Sequence, residues 1–324
     1  MTTRRPSPLA IVLASILVLT IVLVAIFIPT VFTSQNLGNL ALSSSIVMIA
    51  AAGQTLVLMS RNLDLSQGAM VMLVALSTGL VHSATGAPIA FLVPFAIILG
   101  AVLGATNGLI VAYLAVPSII ATLGMAGVYR GVGFFVADGS QVSRNDLPSE
   151  LIDFAKAQTL SVPLPFVLAV VTAILFSFLS KRTVPGRVLV AVGFNESAAR
   201  LRGIETKPVV IATFVLSGVL CGVAALLFAG IFGNVNPSDA NGLELQTIAA
   251  AIIGGTSIAG GRGNFLGTAL GALLLALILN VLRVSDIDPL WQLAIQGLVI
   301  LFAATVALRS TSDANNTEQR KVTA

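Results

Sequence analysis

Charged side chains are rare in this chain, and their scarcity decides its class. Asp, Glu, Lys and Arg make up 9% of the sequence, whereas soluble domains carry about 25%. Residues 6–60 and 65–129 contain none of the four. Because a helix that spans a membrane needs about 20 mostly apolar residues, runs of this length predict several spanning helices. The chain is therefore expected to be an all-α, polytopic membrane protein. A soluble enzyme and a nucleic-acid-binding protein are excluded.

Several kinds of site are excluded by what the sequence lacks. Cys221 is the single cysteine, so an intrachain disulfide cannot form. His82 is the single histidine and has no cysteine or glutamate beside it, which argues against a metal site. No phosphate-binding Gly-x-x-x-x-Gly-Lys-Ser/Thr loop is present, so we expect no ATP or other cofactor in this chain itself. The predicted spans also lack a catalytic set of side chains, which argues against an intramembrane enzyme.

Turn-forming stretches divide the apolar runs into ten predicted spans. The first span follows Arg4 and Arg5 and is longer than the apolar core of a signal peptide, so we expect it to be retained. The ten spans cover residues 9–30, 40–60, 66–83, 88–114, 119–136, 163–180, 209–232, 243–259, 264–282 and 290–308.

The placement of Lys and Arg predicts that both termini lie in the cytoplasm. With that orientation, 13 of the 17 basic residues fall on the cytoplasmic side and three on the outer side, while Arg130 lies within a span. The outer segments instead carry most of the acidic residues, including Glu244. We expect a cytoplasmic tail over 1–8, a single transmembrane domain over 9–309 and a polar cytoplasmic tail over 310–324. The long connections are an outer loop at 137–162 and an inner loop at 181–208.

Glycines recur every four residues in two of the spans. Small residues at this spacing let helix backbones approach closely in lipid, where apolar burial does not drive association. They can serve packing within the chain or contact with a second copy, and the sequence leaves both open. The two sets are Gly100, Gly104 and Gly108, and Gly263, Gly267 and Gly271.

A few polar side chains fall within or beside the spans, where they are costly and commonly functional. Asp64 is expected either to cap the third span or to lie in a broken helix near the transport path, and both are compatible. The uncharged amides and hydroxyls suit a polyhydroxyl solute, although hydrogen bonds between helices are the more common explanation for any one of them. An ion-coupled secondary transporter is the alternative function, disfavoured by the scarcity of buried ionisable groups. The candidate path residues are Asp64, Gln67, Asn107, Thr122, Gln246, Gln292 and Gln296.

The inner loop contains a short, well-terminated helix. Asn195 is a favourable N-cap, Glu196 complements the positive helix start, and Gly203 suits the position after the last turn. Such a helix is either a plain surface element or a docking element for a cytoplasmic partner. The candidate docking residues are Gly193, Asn195, Glu196, Ala199, Arg200 and Gly203.

Four motifs in this order resemble the permease subunits of bacterial ATP-binding-cassette importers for ribose, xylose, arabinose, rhamnose and autoinducer-2. The motifs are NLDLSQG at 62–68, PSIIATLGMAGVYRG at 117–131, GRVLVAVGFNESAARLRGI at 186–204 and NGLELQTIAAAIIGGTSIAGGRG at 241–263. The resemblance implies a non-enzymatic permease subunit of the bacterial inner membrane. Its implied partners are a cytoplasmic ATPase that binds the ATP, a second permease copy or paralogue, a periplasmic sugar-binding protein and membrane lipid. It also implies that the 193–203 region is the coupling helix. Gln67 departs from the valine usual in this family, so the sugar stays open.

Overall fold

The computed structural model describes residues 28–285 continuously, together with Ile26, Asp288, Trp291, Ala294, Ile295, Gly297, Leu298 and Leu301. Within these residues the chain is helical apart from one hairpin of two-residue strands, β1 (Gln158–Thr159) and β2 (Val162–Pro163). The prediction of an all-α membrane protein is confirmed for this part of the chain. The helices are α1 (Ser34–Met59), α2 (Gln67–Thr85), α3 (Ile89–Tyr113), α4 (Ser118–Ala137), α5 (Ser149–Lys156), α6 (Leu164–Arg182), α7 (Val184–Phe194), α8 (Glu196–Leu201), α9 (Thr206–Phe232), α10 (Leu243–Ile253) and α11 (Phe265–Val284).

Seven of the described helices are long and apolar enough to cross a membrane: α1, α2, α3, α4, α6, α9 and α11. Each matches one predicted span, six of them to within three residues at both ends, whereas α1 begins six residues before its predicted start. The predicted spans at 9–30 and 290–308 lie largely outside the described residues. The predicted span at 243–259 is wrong as a single helix, because α10 has 11 residues and ends at Gly254. At 1.5 Å per residue α10 reaches roughly 16 Å, about half of the hydrocarbon core.

Helix α1 is the central element of the bundle. Every residue from Ser44 to Met59 is buried. Helices α6, α9, α10 and α11 pack around it. A helix that is apolar on all sides belongs in the interior of a bundle, which accounts for this position. By contrast, α3, α4 and α6 leave large apolar side chains exposed, as expected for surfaces that meet lipid or another membrane protein.

The closest helix pair is α3 with α9, and glycines make it possible. A Cβ at Gly100 or Gly104 would collide with the carbonyl groups of Gly218 and Phe214, and a Cβ at Gly108 would lie 3.0 Å from the Cα of Ile211. The second glycine set lies around α11. There a Cβ at Gly263, Gly267 or Gly271 would collide with Met59, Gly254 or Ala250, although Gly263 precedes the helix rather than starting it. Both predicted sets therefore face partners within the chain.

Candidate coupling helix and buried polar network

The short helix of the inner loop is present as α8, with the expected caps. The Asn195 side chain accepts a 2.9 Å hydrogen bond from the backbone N–H of Ala198, and Gly203 has a φ of 78°. Ala199 is buried against the bundle, whereas Leu201 is 89% exposed. The helix thus has one face held by the protein and an apolar residue directed away from it.

A cluster of three side chains ties α8 to the start of α9. Glu196 accepts hydrogen bonds from Arg200 and, at 2.9 Å, from the hydroxyl of Thr206, and Arg200 Nε donates to the same hydroxyl at 3.1 Å. The hydrogen bond from Arg200, and then that from Thr206, hold the pKa of Glu196 below its ordinary value. Thr206 is the buried first residue of α9, so this cluster joins α8 to that long helix.

Gly193 lies at a close contact between backbone segments. A Cβ at this position would collide with the carbonyl of Met59 and lie 2.6 Å from the backbone nitrogen of Gly261. Gly261 in turn donates a 3.0 Å hydrogen bond to the Met59 carbonyl. Gly193 therefore allows the end of α7, the turn before α11 and the end of α1 to meet.

The segment 60–66 between α1 and α2 turns back into the bundle. Arg61 in this segment has a left-handed backbone conformation, with a φ of 64°, and α2 begins only at Gln67. The Gln67 side chain donates to the carbonyl of Ala50 at 3.2 Å. Ala50 lies nine residues before the end of α1, which is roughly 13 Å along that helix. The broken-helix interpretation of Asp64 therefore describes this backbone well.

Non-helical backbone at membrane depth needs hydrogen-bond partners from the protein. The hydroxyl of Ser118 accepts from Leu63 N–H at 3.1 Å, and that of Thr122 accepts from Leu65 N–H at 3.0 Å. Gln54 completes the set: with its amide nitrogen facing the Asp64 carbonyl at 3.2 Å, its oxygen accepts from Asp64 N–H at 3.3 Å. Thr122 thus supports the broken segment from α4.

The Asp64 carboxylate begins a chain of buried hydrogen bonds across three helices. Asp64 Oδ1 accepts from both the N–H and the hydroxyl of Ser66, at 2.9 and 2.6 Å. Asn107 of α3 donates to the same hydroxyl at 2.7 Å and accepts from the Tyr129 hydroxyl at 3.0 Å. Asp64 and Asn107 are fully buried. Their geometry fits support of the segment rather than direct contact with a passing solute.

Gln67 joins α1, α9 and α10. Besides the Ala50 carbonyl, its amide donates to Ser217 at 2.8 Å and accepts from Thr247 at 2.7 Å. Gln67 is fully buried, and both its amide nitrogen and its amide oxygen form hydrogen bonds within the protein. Gln67 therefore belongs to the interior hydrogen-bond network of the bundle.

More ionisable groups are buried in the structure than the sequence indicated. Asp64 is fully buried, and Asp64 Oδ2 has no hydrogen-bond partner among the described residues. Glu244, expected in an outer loop, instead lies against Gly68 at the start of α2, where a Cβ would overlap its carboxylate. This argument against an ion-coupled transporter is thereby removed. The sequence misled because it does not show that 60–66 and α10 reach into the bundle.

Gln246 is the candidate path residue that faces open space. It is partly exposed and borders a cleft of about 170 Å³ between α1, α9, α10 and α11. Asn241, Ser43, Asn280 and Arg283 supply the other polar side chains of this cleft. Gln292 and Gln296 lie outside the described residues. The structure therefore brings four of the seven candidates into the buried network and one into the cleft.

A bundle of long apolar helices with a broken, buried segment fits a membrane transport subunit, and the comparisons with known proteins give the same class. The chain belongs to the family described as the permease component of the branched-chain amino acid transport system, whose model matches residues 36–304. It is similar to the autoinducer 2 import system permease protein of Enterobacter sp. (strain 638), at 37% identity over 84% of this chain and 79% of that one. It is also similar to the ribose import permease protein of Escherichia coli (strain K12), at 35% identity over 91% and 92%. No solved structure shows a significant match.

Proposed function

We propose that this chain is the membrane-spanning permease subunit of an ATP-driven importer for a monosaccharide or a similar small polyhydroxyl solute. Family membership supports the class, and the named relatives import ribose and autoinducer 2. The observation that carries the mechanism is the hydrogen-bonded tether from Glu196 and Arg200 to Thr206. It provides a mechanical connection from a cytoplasmic helix to a membrane span.

In this proposal a separate cytoplasmic ATPase docks on the exposed side of α8. Leu201 and Phe194 are exposed apolar residues there, at 89% and 60%. Closure of the ATPase on ATP moves α8, and the tether passes that movement to α9. Because α9 is packed without gaps against α3 through Gly218 and Gly104, the two helices move as one body. The membrane is the bacterial inner membrane, and a periplasmic binding protein delivers the solute to the outer side.

A second permease packs against the exposed face of α4. Gly124, Gly127 and Gly131 have open space where a Cβ would be, unlike the glycines of α3. Arg130 on the same helix has a buried Nη1 with no hydrogen-bond partner within the described residues. An unfilled small-residue face beside an unsatisfied cation is what a partner helix with a polar residue would complete.

The solute interacts first with the outer cleft beside Gln246. Amide side chains such as those of Gln246 and Asn241 can donate to and accept from hydroxyl groups, which suits a sugar. The four buried candidate path residues do not contact the solute but hold the segment 60–66 in its conformation. They are Asp64, Gln67, Asn107 and Thr122.

The test is reconstitution. The chain is tagged, purified from native membranes and identified together with its partners by mass spectrometry, and uptake is then measured in proteoliposomes. We expect an ATPase subunit in the eluate and uptake of labelled ribose or a related sugar that requires ATP and is blocked by vanadate. Uptake by the chain alone, driven by an ion gradient and abolished by an ionophore, would instead establish the secondary transporter.

A further inference from the structure

A large apolar groove lies on the cytoplasmic half of the bundle, away from the outer cleft. It has a volume of about 630 Å³ and is bordered by α6, α7 and α9, with Leu56 of α1 at its floor. This size lies within the range of roughly 300–1,000 Å³ that is typical of ligand pockets. Phe176, Leu179, Leu189, Val209 and Leu216 form most of its wall.

The groove offers no free hydroxyl group to a polar solute. Its three hydroxyl side chains all donate to backbone carbonyls of their own segments: Ser180 to Ser177, Thr183 to Leu179 and Thr213 to Val210. The other lining side chains are hydrocarbon. A sugar would replace few of its hydrogen bonds with water here, whereas a hydrocarbon chain would lose nothing.

The groove extends inward from the cytoplasmic end of the membrane domain. It includes residues from the elbow between α6 and α7, at Thr183 and Gly186, as far as Phe176. Six residues separate Phe176 from Arg182 at the end of α6, which is roughly 9 Å of helix. The groove therefore lies at the depth of the inner leaflet, beside the acyl chains of phospholipids.

Three exposed basic residues are sequence neighbours of the lining residues at the mouth of the groove, the end where α6 meets α7. Lys181 and Arg182 precede the lining residue Thr183, and Arg187 follows Gly186. All three are exposed, and none forms an ion pair within residues 28–285. The acidic residues of the same inner loop are Glu196, which is paired with Arg200, and Glu205. The mouth therefore presents positive charge to the headgroup region.

We propose that this groove binds one anionic phospholipid, with an acyl chain in the groove and the phosphate held by Lys181, Arg182 and Arg187. The apolar wall selects a hydrocarbon chain, and the basic mouth selects a negative headgroup over a zwitterionic one. Basic pockets between spanning helices on the cytoplasmic side bind anionic headgroups for the same reason. The site is independent of the proposed solute path, because it shares no residue with the outer cleft.

Native mass spectrometry on the purified permease, with any subunits that remain bound, tests this site. The probes are phosphatidylglycerol and phosphatidylcholine with identical acyl chains, added at equal concentration after delipidation. Lys181→Gln/Arg182→Gln/Arg187→Gln neutralises the mouth, with Arg144→Gln/Lys156→Gln on the outer side as control. Ala212→Trp fills the groove, and Leu216→Trp repeats that test at a second position. Ile174→Trp, on an exposed face of α6 outside the groove, is the matched control.

We expect one phosphatidylglycerol to remain bound to the parent and to both control variants. Each basic residue should contribute roughly fivefold to affinity, so the triple variant should bind about 100-fold more weakly. The two groove-filling variants should also lose the lipid while they stay monodisperse. Equal retention of phosphatidylcholine, or unchanged binding by the triple variant, would overturn the headgroup assignment. Retained lipid in both tryptophan variants, or loss of a bound subunit in place of lipid, would overturn the groove as a lipid site.

Discussion

Removal of a single buried hydroxyl group should uncouple ATP hydrolysis from transport. Thr206→Val keeps the shape of the side chain but removes the hydroxyl that bridges Glu196 at 2.9 Å and Arg200 at 3.1 Å. A hydrogen bond to a charged group contributes about 1.5–3 kcal/mol, and half-exposed partners bring this to its lower end or below because water replaces the lost bond. The docking of α8 on α9 should therefore weaken by about 1–2 kcal/mol, a factor of roughly 5–30.

The measured quantity is the number of solute molecules imported per ATP hydrolysed, in proteoliposomes that contain the permease, its ATPase and the binding protein. We expect this ratio to fall at least about fivefold in Thr206→Val, while ATP hydrolysis continues, because the motion of α8 no longer reaches α9 fully. Thr206→Ser keeps the hydroxyl and should retain most of the ratio.

Thr172→Val is the matched control for this experiment. Thr172 is also buried, but its hydroxyl donates to the carbonyl of Leu168 within the same helix and links no second segment. It should therefore leave the ratio unchanged. An unchanged ratio in Thr206→Val, or an equal fall in Thr172→Val, would refute the tether as the coupling element.

Four further outcomes follow from the same geometry. Gly104→Val should prevent stable insertion, seen as loss of monodisperse protein, since its side chain would collide with the Phe214 carbonyl between α3 and α9. Asn107→Leu removes the hydrogen bonds to Ser66 and Tyr129, which keep their bonds to Asp64 and Leu103, and should lower the unfolding free energy by roughly 1–3 kcal/mol in a denaturation assay. Gln246→Ala should raise the KM for uptake several-fold at unchanged protein yield, and an unchanged KM would remove it from the solute path. Because hydrogen bonds lower its pKa, Glu196 stays ionised through the pH range in which a free glutamate takes up a proton, so the import ratio should be constant down through that range and fall only at more acidic pH.

Much of the helical layout can be predicted from the sequence, because a long apolar run in a membrane satisfies its backbone hydrogen bonds by forming a helix. The breaks at Gly86 and Pro117 separate α2, α3 and α4 as predicted, since a left-handed glycine and a proline both stop a helix. The helix α8 is similarly predictable, because Asn195 and Gly203 are local signals that do not depend on the rest of the fold.

How deeply a segment reaches into the helix bundle cannot be predicted from the sequence in the same way. Hydropathy over 243–259 suggests one span, because it measures composition and not backbone continuity, and Gly254 ends α10 early. Arg61 and Asp64 mark a loop correctly, yet nothing local reveals that the loop returns to the level of Ala50. Gln54, which supports that loop from α1, was missed because a lone amide in an apolar run carries no distinctive signal.

The first turn of α2, which follows the segment 60–66, lies in contact with helix α10, and the depths of that segment and of α10 were not predicted. The first turn of α2 contains Gly68, and the first turn of α10 contains Glu244, whose carboxylate lies against that glycine. Helix N-termini carry partial positive charge, so a carboxylate placed between two of them is stabilised at a depth where it would otherwise be costly. The break at 60–66 and the start of α10 therefore meet at this carboxylate, and Gly68 is the residue whose missing Cβ leaves room for it.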